Sequence, residues 1–217
     1  MINKKNIVLF FRVSIIIIAF GGFLLNSIPS DEPFARLTYF TSQSNVLVGT
    51  IYLVAFFINS NSRTFKIIKN QIVVAIVLTG LVFNLMLRPY VGDFDYNPNT
   101  FSDFLVHVLT PILVFIDFIF LEEHGEIQKF DPFYWLLFPL IYWVFTIVFV
   151  ALGGDYNGET YQSNYPYFFL DFKEYGIGYF FLVFAFVLMI GYILFIIDYL
   201  MIKRKQNSNK EDNNGSF

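Results

Sequence analysis

Residues 7–28 read IVLFFRVSIIIIAFGGFLLNSI, and what this stretch is decides the fold. Preceded by Lys4-Lys5, it imitates a secretory signal. Its apolar part, Ile7 to Leu25, is longer than the roughly 7–15 residues of a signal's hydrophobic region, and no A-x-A-like cleavage site follows. The stretch is expected to remain as a membrane helix.

Five further runs of the same character follow: Thr41–Ile58, Gln71–Arg88, Asp103–Leu121, Phe133–Leu152 and Gly176–Met201. About 20 apolar residues cross a hydrocarbon core about 30 Å thick. No run alternates with a period of two, and each is long enough to satisfy its own backbone as a helix. The expected fold is all-α: a polytopic bundle of six transmembrane helices over residues 1–202, with no internal repeat. Composition agrees, because 56% hydrophobic and 21% aromatic residues against 14% charged is more apolar side chain than a soluble core of this size needs.

Charge sets the expected orientation. Of 14 basic residues only Arg36, Arg88 and Lys173 fall in or beside the first, third and fifth loops. By the positive-inside rule both termini of this multi-pass protein are then cytoplasmic. The second and third outer loops carry Asp93, Asp95, Asp155, Glu159, Asp171 and Glu174. Residues 203–217, KRKQNSNKEDNNGSF, lack apolar periodicity and are expected to be a disordered tail whose Lys203-Arg204-Lys205 holds the last helix against an anionic leaflet. A net charge of −3 with no basic stripe argues against a nucleic-acid partner. The absence of cysteine excludes disulfides, thiolate catalysis and Cys-ligated metal.

Depth then singles out a set of polar residues. Thr41, Ser44 and Asn45 share one side of the second helix at its outer end. Asn84 and Arg88 close the third helix on that side, and Asp103 opens the fourth with His107 one turn deeper, about 6 Å along the axis. These seven residues fall at one depth in the outer half of the bilayer. A threonine or serine hydroxyl needs a base to become a nucleophile, and His107 is the only histidine within a span. Asp103 is placed to orient its imidazole, and Asn45, Asn84 or Arg88 to hold a carboxylate or an oxyanion. The chemistry implied is acyl transfer on a lipid-like ester, with no metal or organic cofactor. Spacing alone leaves Thr41 and Ser44 equal as nucleophiles. It also leaves open that these hydroxyls only cap the helix or join helices.

Other polar features point to structure. Asp117 is expected to pair with another helix, and Glu122-Glu123-His124 with Glu126 lacks metal-ligand spacing and reads as a solvated loop.

The pieces Phe40-Thr41-x-Gln43-Ser44-Asn45 and His107-x-x-x-Pro111-x-x-x-x-x-Asp117 resemble the bacterial six-helix family related to the eukaryotic androgen-induced and androgen-dependent membrane proteins. Eukaryotic members of that group are intramembrane threonine hydrolases of fatty acid esters. The resemblance implies Thr41 as nucleophile in preference to Ser44 and His107 as base. The placement of the polar residues puts the opening of the site between the second, third and fourth helices toward the outer leaflet, where a lipid substrate would enter sideways from the bilayer. Two alternatives remain at this point: an acyltransferase using the same pair, and a lipid- or anion-binding or transport protein with Arg88 as charge partner and no covalent step.

Overall fold

A computed structural model describes residues 3–28, 35–58, 62–91, 97–156 and 163–214. Asp93, Asp95, Glu159 and Gly215 to Phe217 lie outside them. The described residues contain no strand. Six helices of 15 residues or more follow in order: α1 (Lys4–Ser27), α2 (Phe40–Val54), α3 (Arg63–Leu87), α4 (Phe101–Phe120), α5 (Asp131–Ala151, with a turn at Trp135-Leu136) and α6 (Gly178–Asn214). Five of them, all except α2, are long and apolar enough to cross a membrane.

The starts are capped as the sequence allows. Asn3 Oδ1 accepts from Lys5 N at 3.0 Å, Ser62 Oγ from Phe65 N at 3.2 Å and Thr100 Oγ1 from Asp103 N at 3.2 Å, each satisfying a donor the helix leaves free.

α1, α2, α3 and α4 pack together, and α6 lies along α3 and the first turn of α5. Ile15, Val48, Ile76 and Val114 sit at the centre, fully buried. Glycines set two of the approaches. A Cβ on Gly22 would stand 2.9 Å from Leu105 and Val106 side-chain atoms, and one on Gly80 would stand 2.9 Å from Pro111 Cβ and 3.2 Å from the His107 carbonyl. Small residues at such crossings let the backbones close in where no water drives association. The outside is the reverse of a soluble surface: Phe10 is 76% exposed, Phe120 67% and Phe181 61%.

Several boundaries differ from expectation. α2 stops at Val54, four residues short of Ile58, where Phe56 N and Phe57 N turn back to the Leu53 and Val54 carbonyls at 3.1 and 2.9 Å. At 15 residues it is about 22 Å long, less than the hydrocarbon thickness. α3 starts at Arg63, a full two turns before Gln71, because Ser62 caps it there and Arg63, Lys66 and Lys69 pair with Asp131, Glu126 and Glu122. The expected disordered tail is helical as far as Asn214. A helix already nucleated in the span extends at the small cost of propagation, and Lys, Arg, Gln and Glu are good helix formers.

Candidate functional site

The first turn of α2 is built by its own polar side chains. Ser44 Oγ donates to the Thr41 carbonyl at 3.0 Å, Asn45 Nδ2 to the same carbonyl at 2.9 Å, and Gln43 Nε2 to Leu37 O in the preceding turn at 3.0 Å. Thr41 is left pointing its hydroxyl across to α4, where Oγ1 lies 3.2 Å from His107 Nε2.

His107 sits in a wide turn of α4. Over Leu105–Leu109 the helix loosens by one residue, so that the Thr110 N–H reaches Leu105 O instead of Val106 O. Pro111, with no N–H, cannot serve the carbonyl one turn before it, that of His107. Two neighbouring carbonyls are thus left without helical partners, and buried carbonyls need them. Asn45 Nδ2 donates to Val106 O at 3.2 Å and Asn84 Nδ2 to His107 O at 3.0 Å. The two asparagines brace the backbone on either side of the histidine from α2 and α3. α3 has a matching wide turn at Phe83–Leu87, and the Phe83 ring stacks on the imidazole at 3.5 Å with planes 8° apart.

On its other edge the imidazole faces Asp103. Nδ1 lies 3.3 Å from Asp103 Oδ1, within ion-pair range but off the line of a hydrogen bond. Asp103 is 3% exposed, and its Oδ2 accepts from Thr100 Oγ1 at 2.8 Å. For Nε2 to accept the threonine proton, the ring proton must be on Nδ1, the nitrogen turned to this carboxylate. The order hydroxyl, imidazole, carboxylate is that of a nucleophile, its base and the base's orienting group.

The other expected site residues fall into different roles. Ser44 is fully buried, with Oγ 2.9 Å from Thr79 Oγ1 and its bond to the Thr41 carbonyl, so it supports the turn and does not face the imidazole. Both amide hydrogens of Asn45 and both of Asn84, whose second bond goes to Gly80 O at 2.8 Å, are taken by backbone carbonyls. Neither asparagine has a donor left for a carboxylate or an oxyanion, contrary to the sequence-based expectation. Arg88 is exposed at the end of α3, donating to Asn84 Oδ1 at 3.2 Å and Asn99 Oδ1 at 2.7 Å.

The opening also differs from the expected one. A small apolar cleft, about 60 Å³ in volume, reaches Thr41, walled by Leu78, Val82 and Phe83 of α3, Pro139, Tyr142 and Trp143 of α5, Phe180 and Phe184 of α6, and Tyr167, Phe169 and Leu170 before it. No residue of α4 lines it, because Gly22 and Gly80 let α1 and α3 close tightly on that helix. Thr41 stands between the two, with the imidazole on one side and the cleft on the other. Tyr167 and Tyr142 escaped the sequence analysis, since nothing separates them there from 14 tyrosines spread along the chain. Burial pushes the Tyr167 phenol up, partly offset by its contacts with the Thr41 side chain and backbone, so it stays a hydrogen-bond donor at neutral pH.

Asp117, Glu122 and His124 form no metal cluster; among the described residues no group of three such ligands converges. Asp117 is fully buried at the opposite end of the bundle, where it accepts from Arg12 Nε at 3.0 Å and Tyr52 OH at 2.9 Å, while Glu122 pairs with Arg12 and Lys69. His124 Nδ1 lies 3.1 Å from Asp198 Oδ1, whose carboxylate also takes the Gly125 and Ile127 N–H groups at 2.9 and 3.1 Å. No family model, no curated protein and no solved structure matches the chain.

Proposed function

We propose that the protein is an intramembrane threonine hydrolase of lipid esters. The observation that carries the reading is the 3.2 Å contact between Thr41 Oγ1 and His107 Nε2, with Asp103 behind the imidazole at 3.3 Å. Thr41 Oγ1 attacks the ester carbonyl as its proton passes to Nε2; the proton then leaves with the alcohol, and a water activated by the same nitrogen releases the acid from Thr41. The apolar cleft ending at Thr41 supports an acyl chain as the group that docks there, and the motif resemblance supports the same pair and chemistry. The placement that goes with this function is a six-span protein of a bacterial inner membrane, α2 counted as the short sixth span, with both termini in the cytoplasm and Thr41 in the outer half of the bilayer.

The test is labelling of the purified protein by an alkyl fluorophosphonate in lipid nanodiscs. We expect one adduct per chain on Thr41, lost in Thr41→Ala and cut by about 100-fold or more in rate in His107→Ala, given the usual scale of base catalysis. Labelling persists in Ser44→Ala. Thr41→Ala protein that labels and turns over p-nitrophenyl octanoate as the wild type does would refute the assignment.

A further inference from the structure

An ester carbonyl attacked by Thr41 becomes an oxyanion, and stabilising that charge needs donors that are not already committed. The polar residues expected to supply them are not available at the cleft: Asn45 and Asn84 are spent on the Val106, His107, Thr41 and Gly80 carbonyls, and Arg88 lies at the exposed rim, bonded to Asn84 and Asn99 and outside the cleft lining. Inside the cleft one hydroxyl is in the opposite condition. Tyr142 is 5% exposed, its ring is held edge-on by Phe40 at 5.1 Å, and its buried hydroxyl makes no well-formed hydrogen bond, lying only in weak contact with the Thr146 side chain and the Phe40 backbone. Phe40 directly precedes Thr41, and the cleft that Tyr142 lines is the one that reaches Thr41. A second phenol, Tyr167, has its ring 6.3 Å from that of Tyr142 and lies against Thr41 itself.

Resting on the hydrolase reading, we propose that Tyr142 and Tyr167 form the oxyanion site, their two O–H groups holding the carbonyl oxygen of the bound ester as it takes up negative charge. A buried hydroxyl without a well-formed hydrogen bond is costly, and a ligand oxygen between the two phenols removes that cost. The apolar walls strengthen each bond, because little water competes and the effective dielectric is low. In the step itself the Thr41 Oγ1–carbon bond forms, the Oγ1 proton goes to His107 Nε2, and the carbonyl π electrons move onto the oxygen facing the phenols. Collapse returns those electrons, breaks the bond to the leaving alkoxide, and hands it the proton from Nε2. The phenols keep their protons throughout, so they contribute hydrogen bonds and no acid–base step.

The test uses the full chain in nanodiscs with p-nitrophenyl octanoate as substrate. Tyr142→Phe keeps the ring and removes only the hydroxyl. We expect kcat to fall about 100-fold, the lower end of the range for loss of an oxyanion donor, with KM changed less than threefold. Tyr167→Phe is expected to show the same split. Octyl trifluoromethyl ketone, which forms an oxyanionic adduct on a nucleophile, separates chemistry from packing. Its inhibition constant weakens in Tyr142→Phe by the same factor as kcat/KM, while octanol, which carries no such charge, inhibits both proteins alike. Tyr142→Phe with kcat within twofold of wild type overturns the proposal and leaves the donors elsewhere, as in the first-turn N–H groups of α2. Equal weakening by ketone and octanol overturns it too, since that is loss of packing. If wild-type protein neither turns over the ester nor labels with fluorophosphonate, the hydrolase reading falls and the oxyanion site falls with it. Turnover abolished in Thr41→Ala but intact in Tyr142→Phe rejects the phenols alone.

Discussion

Pro111 has no backbone N–H to give, and its position one turn after His107 decides what Asn84 does. The His107 carbonyl would be orphaned by the proline, and Asn84 Nδ2 takes it at 3.0 Å. Asn84→Leu removes that donor and leaves a buried carbonyl unpaired, at a cost of about 1–3 kcal/mol. Pro111→Ala returns an N–H to the helix, so Asn84→Leu/Pro111→Ala should recover much of the stability lost in Asn84→Leu alone. Thermal unfolding in one detergent across the two single variants and the double closes this cycle, and additive losses would show that the carbonyl is not the shared partner. At this scale the sequence carried the juxtaposition: polar residues at one depth were enough to place Thr41 near His107, and Asp103 behind it. It did not carry the asparagines' roles. An amide side chain reads the same whether its hydrogens face a ligand or a backbone carbonyl, and the choice depends on a loosened turn that hydropathy does not register. The one legible hint was Pro111, four residues after the histidine.

Among the helices, ion pairs fasten the end of the bundle away from Thr41. Glu122, just beyond α4, joins Arg12 of α1 and Lys69 of α3, and Asp117 of α4 binds Arg12 and Tyr52 of α2. Burial pushes the Glu122 carboxyl up, but Lys69 and Arg12 outweigh it and hold it below the usual 4.5. A carboxyl lower in the folded than in the unfolded protein stabilises fully above its unfolded value, and that contribution is lost as pH falls from about 4.5 through the folded value. The melting temperature in detergent should therefore drop on acidification below about pH 4.5, and Glu122→Gln should start lower and fall less over the same window. An unchanged slope in that variant would move the acid sensitivity to other carboxylates. Removing Asp117 acts differently: Asp117→Ala leaves Arg12 on Glu122 but orphans the buried Tyr52 hydroxyl, and should cost about 1–3 kcal/mol. Helix existence was legible from apolar length alone, whereas helix ends were not. α3 begins two turns early because cross-helix pairing of Arg63, Lys66 and Lys69 supports polar residues that look like loop in a hydropathy reading, and α6 continues past Met201 because helix propagation asks nothing of apolar periodicity.

For the molecule as a whole, the bundle has two unlike ends: Thr41, His107, Tyr167 and the rim residues Arg88 and Asn99 at one, and the Arg12, Lys69 and Glu122 network with the basic start of α6's extension at the other. The proposed orientation puts the first end outward. Since the chain has no cysteine, single cysteines report sidedness without background. Asn99, exposed beside Arg88, and Lys5, exposed in the first turn of α1, lie at opposite ends. With a membrane-impermeant maleimide on intact spheroplasts, Asn99→Cys should label and Lys5→Cys should label only after permeabilisation. A cysteine at Ser208, late in α6, should behave like Lys5→Cys if the number of crossings is even, because both termini then share a side. Labelling of Ser208→Cys in intact spheroplasts together with a silent Lys5→Cys would overturn the six-span reading, because α2, though only 15 residues long, runs from Thr41 at one end of the bundle to Tyr52 beside Asp117 at the other and so returns the chain to the side of Lys5.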